Sequence, residues 1–495
     1  MIWTNLKKCI IFINKTDSII FDYAVFAVLL LIIGIFFGII LKTIILKWYE
    51  SSVKMSVQSK EYEKIVRENI EKCKETYKEQ TEYILNSTAQ YHGRYVRTLC
   101  IPKLFDEKQC ERLKHIAEYT QNILVKTIKH YKENPEFRKK FMFEPELERL
   151  ILTESDLECV LPVSRIDIFF NEDNGDFKFC EINTDGTSAM NEDRELNIAV
   201  KKTFAYNEFA KNHKLSSFEL FDSFVEEFKN IYSGYKFKKE NPNVAIVDFL
   251  DLGTTNEFEQ FKLAFERAGI NVEICDIKDL VYKDNALYSK SGMRVDAIYR
   301  RAVTCDIMKN INELSDFIKA IENHSVCLVG PISTQIVHSK VFFEVISDEN
   351  NLTYLTDEEK SFVKAHFPKT YHLTSDNKLF NLQEVLNNKD KWIIKPIDSY
   401  GSKGVFAGVE GDDKDWKDHI LKAIDTGYVL QEFCKPYENL NIDFAKDNPE
   451  FLNYSNLSGL FVYNNKFKGV YSRVSANEII STQYSEIALA TVKVL

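Results

Sequence analysis

From Tyr23 to Leu41 the chain reads YAVFAVLLLIIGIFFGIIL, 19 residues without a charge. As a helix rising about 1.5 Å per residue, this stretch comes close to the roughly 30 Å of a bilayer's hydrocarbon core. Lys42, Lys47, Trp48 and Tyr49 follow it and suit the membrane interface. The sequence beyond, LKTIILKWYESSVK, offers no small-x-small cleavage site, which speaks against a removable signal peptide. The expectation is a retained N-terminal transmembrane helix within 23–49, preceded by a short segment 1–22. Lys7, Lys8 and Lys15 precede the span, whereas Lys42, Lys47, Lys54 and Lys60 follow it, which puts the bulk of the chain in the cytoplasm by a margin of one charge. Ten scattered cysteines without a CxxC fit free thiols in a reducing compartment. Gly34 and Gly38 form a GxxxG that would let two such helices approach closely.

Residues 50–91 are strongly charged, nearly free of turn formers, and read as a helical stalk. Val66, Ile70, Cys73, Tyr77, Gln80 and Ile84 recur at alternating four and three residues. Two readings stay open for that seam. It lies on the main body as an amphipathic helix, or it joins Gly34 and Gly38 in holding a homodimer as a coiled coil. Past His92 the character is globular. The whole chain is 45% hydrophobic and 28% charged with only 17 Gly and 10 Pro, which excludes collagen-like and largely disordered classes. Its formal charge of −10 argues against a nucleic-acid partner.

Apolar spacing predicts helices over 104–131, 143–157, 195–233 and 339–370. SRIDIFF (164–170) and FKFCEIN (177–183), separated by the turn-forming NEDNGD, predict a β-hairpin. The order strand (241–251), helix (257–269), strand (270–277) predicts a βαβ unit with a parallel pair, continued by 291–301 and 325–331. KWIIKPIDSYGSKGVFAGVEG (391–411) reads as strand, Gly-containing loop, strand. YVLQEF (428–433) reads as a short strand, and 458–476 as a hairpin turning at Asn464-Asn465.

The loop SYGSKG (399–404) joins flexible backbone to a cation. N–H groups near Gly401 and Gly404, with Ser402 and the Lys403 ammonium, can cradle phosphate oxygens, whereas the bland reading is an ordinary β-turn. It is neither a Walker loop nor a dinucleotide fingerprint, because a strand follows it and not a helix. Lys395 interrupts the apolar strand leading into it, and a lysine there must snorkel or meet an anion. Gln431 and Glu432 end the later strand with groups suited to an adenine edge and ribose hydroxyls. In the predicted hairpin Arg165 and Asp167 share one face, as do Glu181 and Asn183. Two carboxylates and an amide oxygen are hard donors of the kind Mg²⁺ takes together with nucleotide phosphates. The plain alternative is a cross-strand salt bridge from Arg165 to Glu181.

RID…CEIN, Ser339-Lys340, WIIKPIDSYGSKGV and VLQEF, in that order, resemble the circularly permuted ATP-grasp family, including the synthetase domain of glutathionylspermidine synthase. The resemblance covers roughly 92–485. In ordinary ATP-grasp enzymes the E-x-N strand follows the strand that carries QE; here CEIN comes about 250 residues earlier, as a permutation would produce. The resemblance implies an α/β (α+β) fold. Its helical and metal-binding part would lie at 92–240, a pre-ATP-grasp α/β domain at 241–330, and the nucleotide-binding subdomains at 331–495. It implies ATP and Mg²⁺, with Asp167, Glu181 and Asn183 as metal ligands and Arg165 and Arg473 beside the reacting phosphate. Lys340, Lys395 and the 399–404 lid would hold the phosphates, and Gln431 and Glu432 the adenosine. Asn256, Glu257 and Arg301 would face the acceptor substrate. The implied activity is ligation of a carboxylate to an amine or thiol through an acyl phosphate, releasing ADP. An ATP-binding membrane scaffold without turnover and an ATP-grasp phosphotransferase are the competing readings. Several relatives have Gly-Gly where this chain has Gly401-Ser402, and no amidase domain accompanies the synthetase-like part.

Overall fold

The computed structural model describes residues 57–495 except 92, 253–254, 399–402 and 481–486. The expected anchor, with Gly34 and Gly38, therefore lies outside the described residues. Among those described, no helix is long and apolar enough to cross a membrane.

Two helices open the described chain, α1 (Val57–Glu68) and α2 (Ile70–Leu85). Their seam is used within the chain: Val66, Cys73, Tyr77, Gln80 and Ile84 are buried, and the Tyr77 hydroxyl donates to the Thr98 carbonyl at 2.8 Å. Tyr62 meets Phe209 edge to face. The seam lies on the chain's own body, as the amphipathic reading expects; of its six residues Ile70, 37% exposed, stays outside the buried stripe.

Strand β1 (Lys103–Asp106) runs straight into the long helix α3 (Glu107–Glu133). Asp106 caps it, accepting the Gln109 N–H at 2.9 Å while Gln109 Oε1 accepts the Asp106 N–H at 3.1 Å, a reciprocal capping box. Leu113, Ile116, Ala117, Thr120, Ile123 and Leu124 form its buried stripe. Strands β2 (Val163–Phe170) and β3 (Phe177–Asn183) are the expected antiparallel hairpin. Helix α4 (Met190–Ala199) follows. The helix expected over 195–233 is interrupted by β4 (Leu215–Ser217), whose pairing comes from the far end of the chain.

The βαβ expectation is met by β5 (Val244–Asp248), α5 (Thr255–Arg267) and β6 (Val272–Asp276). With β7 (Ala297–Arg300) and β8 (Cys327–Val329) they make a four-stranded parallel sheet ordered β8-β7-β5-β6. A second four-stranded sheet, antiparallel, holds β9 (Thr370–His372), β10 (Trp392–Pro396), β11 (Phe406–Ala407) and β12 (Tyr428–Glu432) in the order β9-β12-β10-β11.

Five further strands are β13 (Glu438–Ile442), β14 (Phe451–Tyr463), β15 (Lys466–Ser475), β16 (Ile487–Leu489) and β17 (Thr491–Val494). Asn464 and Asn465 turn β14 into β15 with φ of 47° and 64°, the left-handed pair a two-residue hairpin turn requires. The largest sheet runs β16-β15-β14-β2-β3, with β13 on the first half of β14. Late strands and early strands thus complete one antiparallel surface. The C-terminal β17 likewise inserts between β1, parallel, and β4, antiparallel.

Candidate active site

The β2–β3 pairing sets Asp167 opposite Glu181 and Arg165 opposite Asn183. The Arg165 guanidinium grips Asp167 on its own strand, Nε to Oδ1 at 2.8 Å and Nη2 to Oδ2 at 3.1 Å, and gives Nη1 to the Ser188 carbonyl at 2.8 Å. The cross-strand bridge from Arg165 to Glu181 is therefore not what forms. Asp167 is fully buried. Burial pushes its carboxyl up, and the Arg165 and Arg473 guanidiniums act against that. Arg473 arrives from β15, across the intervening β14, and donates to Asp167 Oδ2. On β14, Gly459 pairs with Asp167; a Cβ there would stand 2.8 Å from Asp167 Oδ1 and 2.9 Å from Arg165 Cδ.

Asn183 Nδ2 lies between the two carboxylates, 3.3 Å from Asp167 Oδ2 and 3.2 Å from Glu181 Oε1. Burial opposes ionisation of Glu181, yet Lys340, Arg473, Arg165 and Lys395 together hold its carboxyl down to about 2. Burial in turn pulls the Lys340 ammonium below its usual range, against the attraction of Glu181 and Asp398.

The position of Lys395 follows from a slip in the hairpin. Between Asp167 and Ile168 the register skips Cys180, a bulge that leaves this residue out of the ladder. Its carbonyl accepts the Lys395 ammonium at 3.1 Å. The second acceptor is Gln431 Oε1, at 2.8 Å, while Gln431 Nε2 donates to Thr370 Oγ1 at 2.9 Å. Gln431 is thus a buried brace for Lys395, and Glu432 is the exposed member of that pair.

Arg165, Glu181, Asn183, Lys340, Lys395, Gln431 and Arg473 wall one cavity of about 470 Å³. Lys403 stands exposed at its edge, and Gly404, at φ +73°, is packed so that a Cβ would meet the Tyr428 hydroxyl at 2.8 Å. Gly401 and Ser402 lie outside the described residues. Glu257 and Arg301 also line the cavity but are paired with each other at 2.7 Å, and Glu257 Oε2 additionally accepts the Met190 and Asn191 N–H groups that open α4. Asn256 turns to the Thr88 carbonyl at 3.2 Å, so of these three expected acceptor residues only two reach the cavity wall.

Sequence reasoning passed over Gly459, Asp248, His338 and Tyr471, the last three of which line the same cavity. A lone glycine in the β-rich run LSGLFVY was the available signal for Gly459. His338 sits two residues before Lys340, in a chain whose histidines show no metal spacing.

Among the described residues no group of three or more His, Cys, Asp or Glu could hold a metal ion. The donor set is instead two carboxylates and the amide that links them. Such hard ligands fit Mg²⁺ whose remaining partners are phosphate oxygens and water.

Residues 156–431, more than half of the chain, match the family described as a circularly permuted ATPgrasp. The chain belongs to that family. The circularly permuted ATP-grasp architecture explains why one sheet draws strands from both ends of the sequence. A solved structure of a glutathione synthetase-like effector from Globodera pallida, in its apo form, is similar over 84% of this chain and 96% of its own, at 12% identity and a TM-score of 0.57. A putative γ-glutamylcysteine synthetase from Methylobacillus flagellatus matches over 72% of this chain and 82% of its own, at 10% identity and a TM-score of 0.38. No curated protein matches the sequence significantly.

Proposed function

We propose that this ATP-grasp protein is an ADP-forming ligase that joins a carboxylate to an amine or thiol through an acyl phosphate. The observation that carries the reading is the convergence of four cations on Glu181 at the wall of one cavity. Arg165, Arg473, Lys340 and Lys395 all act on Glu181, and all five residues wall the same cavity. Cations gathered on a ligand-sized cavity suit a polyanion, and a triphosphate is such an anion.

Lys340 and Lys395 would neutralise the phosphates, Lys403 would cover them from the rim, and Arg473 and Arg165 would take charge developing on the transferred phosphoryl group. Asp167, Glu181 and Asn183 would hold Mg²⁺, which when bound supplies further neutralisation of that charge. The substrate carboxylate is itself the nucleophile toward the γ-phosphate. The protein's work is then positioning and electrostatic stabilisation, which matches a cavity whose described residues form no Ser–His or Cys–His pair. The fold shared with a glutathione synthetase-like effector supports the same reaction class.

The test is ADP release from Mg-ATP by the wild-type chain and by Lys395→Ala and Glu181→Ala, with small-molecule extract as the source of acid and amine. Both variants should remain folded and lose turnover. Full ADP release by both sinks the assignment, and ATP binding without any ADP from the wild type favours a non-catalytic scaffold. Localisation of the body on the cytoplasmic side of one span is part of the same proposal, because ATP is supplied there. Protease digestion of the body in intact cells would reverse it.

A further inference from the structure

Asp248 ends β5, a central strand of the parallel sheet, and the carboxyl ends of such strands are where open α/β sheets receive ligands. It is half-buried and lines the cavity that also holds the Glu181 cluster. Its Oδ1 accepts the Phe249 N–H at 2.8 Å. Oδ2 has no hydrogen-bond partner among the described residues, and no described cation lies in ion-pair contact with the carboxylate.

The two guanidiniums at the end of the neighbouring strand are committed elsewhere. Arg300 pairs with Asp185 and donates to the Ala302 and Pro331 carbonyls. Arg301 pairs with Glu257 and donates to the Tyr299 hydroxyl and the Thr187 carbonyl. Asp306, also on the cavity wall, is held by Lys309 at 2.9 Å. Asp248 is thus a carboxylate on a ligand-sized cavity that no described cation contacts directly, Arg300 and Arg301 acting on it only at a distance.

We infer that Asp248 binds the ammonium group of the amine substrate, a role that rests on the ligase reading above. An ammonium supplies the cation and the N–H donors that the described residues withhold from this carboxylate. The phosphates take the cations that converge on Glu181, so the two charged reactants have separate partners within one cavity. Burial raises the Asp248 carboxyl to about 6, with Asp306 acting the same way and Arg301, Arg300 and the Phe249 N–H acting against it. The ammonium site is therefore present above about pH 6 and is lost as the pH falls through that value.

The experiment is a ligand-detected NMR titration of the full chain with n-butylammonium chloride and, as the uncharged counterpart, 1-butanol. Wild type, Asp248→Asn and Asp306→Asn are compared, with Mg-ATP binding measured on the same samples. The Asp248→Asn change keeps the acceptor for the Phe249 N–H and the volume, so Mg-ATP affinity should be unchanged while butylammonium binding falls about ten- to a hundredfold. Asp306→Asn should retain butylammonium binding within about twofold, as its carboxylate is already paired. Wild-type binding of butylammonium should also weaken between about pH 7.5 and about pH 5.5, a range in which the amine stays charged. That arm decides the matter on its own if Asp248→Asn fails to fold. Equal binding of butanol and butylammonium, or undiminished binding by Asp248→Asn, overturns the inference. With Mg-ATP binding intact, that result removes only the role of Asp248; absence of Mg-ATP binding removes the ligase reading with it.

Discussion

Two kinds of buried charge coexist in this protein. Around Lys103–Glu172 and Asp185–Arg300, one cation meets one anion, and neutral groups take what remains: Asn439 and Asn456 accept from Lys103, and carbonyls accept from Arg300. Around Glu181, the four cations Arg165, Arg473, Lys340 and Lys395 converge on one carboxylate at the cavity wall. The first arrangement is complete as it stands. The second gathers like charge on a ligand-sized cavity, and that convergence, more than burial itself, separates a structural ion pair from a binding site.

The sharpest way to break that contrast is to unbalance a balanced pair. Arg300→Ala leaves Asp185 buried without its counter-charge and should cost about 3–5 kcal/mol of stability in urea unfolding. Combining it with Asp185→Asn should recover much of the loss, and a single-variant loss below about 1 kcal/mol would contradict the distinction.

The converse change removes one of the converging cations. Lys340→Met should weaken Mg-ATP binding by about 1.5–3 kcal/mol in calorimetry. Thermal stability should hold or rise, since burial already disfavours that ammonium. A stability loss matching the affinity loss would make Lys340 structural.

Gly459→Ala tests the space between the strands. Its Cβ would enter the Arg165–Asp167 contact, and overpacking of this kind costs about 1–3 kcal/mol. ATP-dependent turnover should fall further than the melting temperature suggests, because the displaced groups belong to the site.

Glu227 gives the smallest effect and refines the rule. It is buried yet meets Lys466 and Lys468, each at 2.9 Å. Burial works against ionisation, but the lysines with Asn230 and Asn464 hold its carboxyl at about 2. Lys466 is 56% exposed, so water carries the surplus positive charge there. A depressed carboxyl stabilises the fold above its unfolded value near 4.5 and ceases to as the pH falls toward 2. Glu227→Gln should flatten the acid limb of the stability profile between those values, by under about 1 kcal/mol at neutral pH.

Much of the fold was legible because local patterns and tertiary partners agreed. SRIDIFF and FKFCEIN alternate around a turn-rich loop and form that hairpin. NVAIVD, an amphipathic helix and VEICD form the parallel unit. Asn464-Asn465 makes the turn its composition suggests. The stalk seam was visible as a spacing but not as a contact, since a four-three repeat covers a partner helix and a body surface equally well. β4 was invisible in LSS because its pairing residues lie at 492–494. The metal-type cluster was readable as two dipeptide steps on facing strands, whereas the bulge at Cys180 that aims its carbonyl at Lys395 has no local signature.

Periodicity, turn chemistry and the order of short motifs thus determined the hairpins, the βαβ unit and the residue types assembled for phosphate chemistry, because each depends on neighbours a few positions apart. Which charges pair directly and which do not was decided only by the folded chain. Gln431 turned inward to brace Lys395, Glu257 closed on Arg301, and Asp248 remained without a described cation in direct contact. Those outcomes depend on distances between residues far apart in sequence, and charge balance inside a protein exists only once the three-dimensional neighbours are in place.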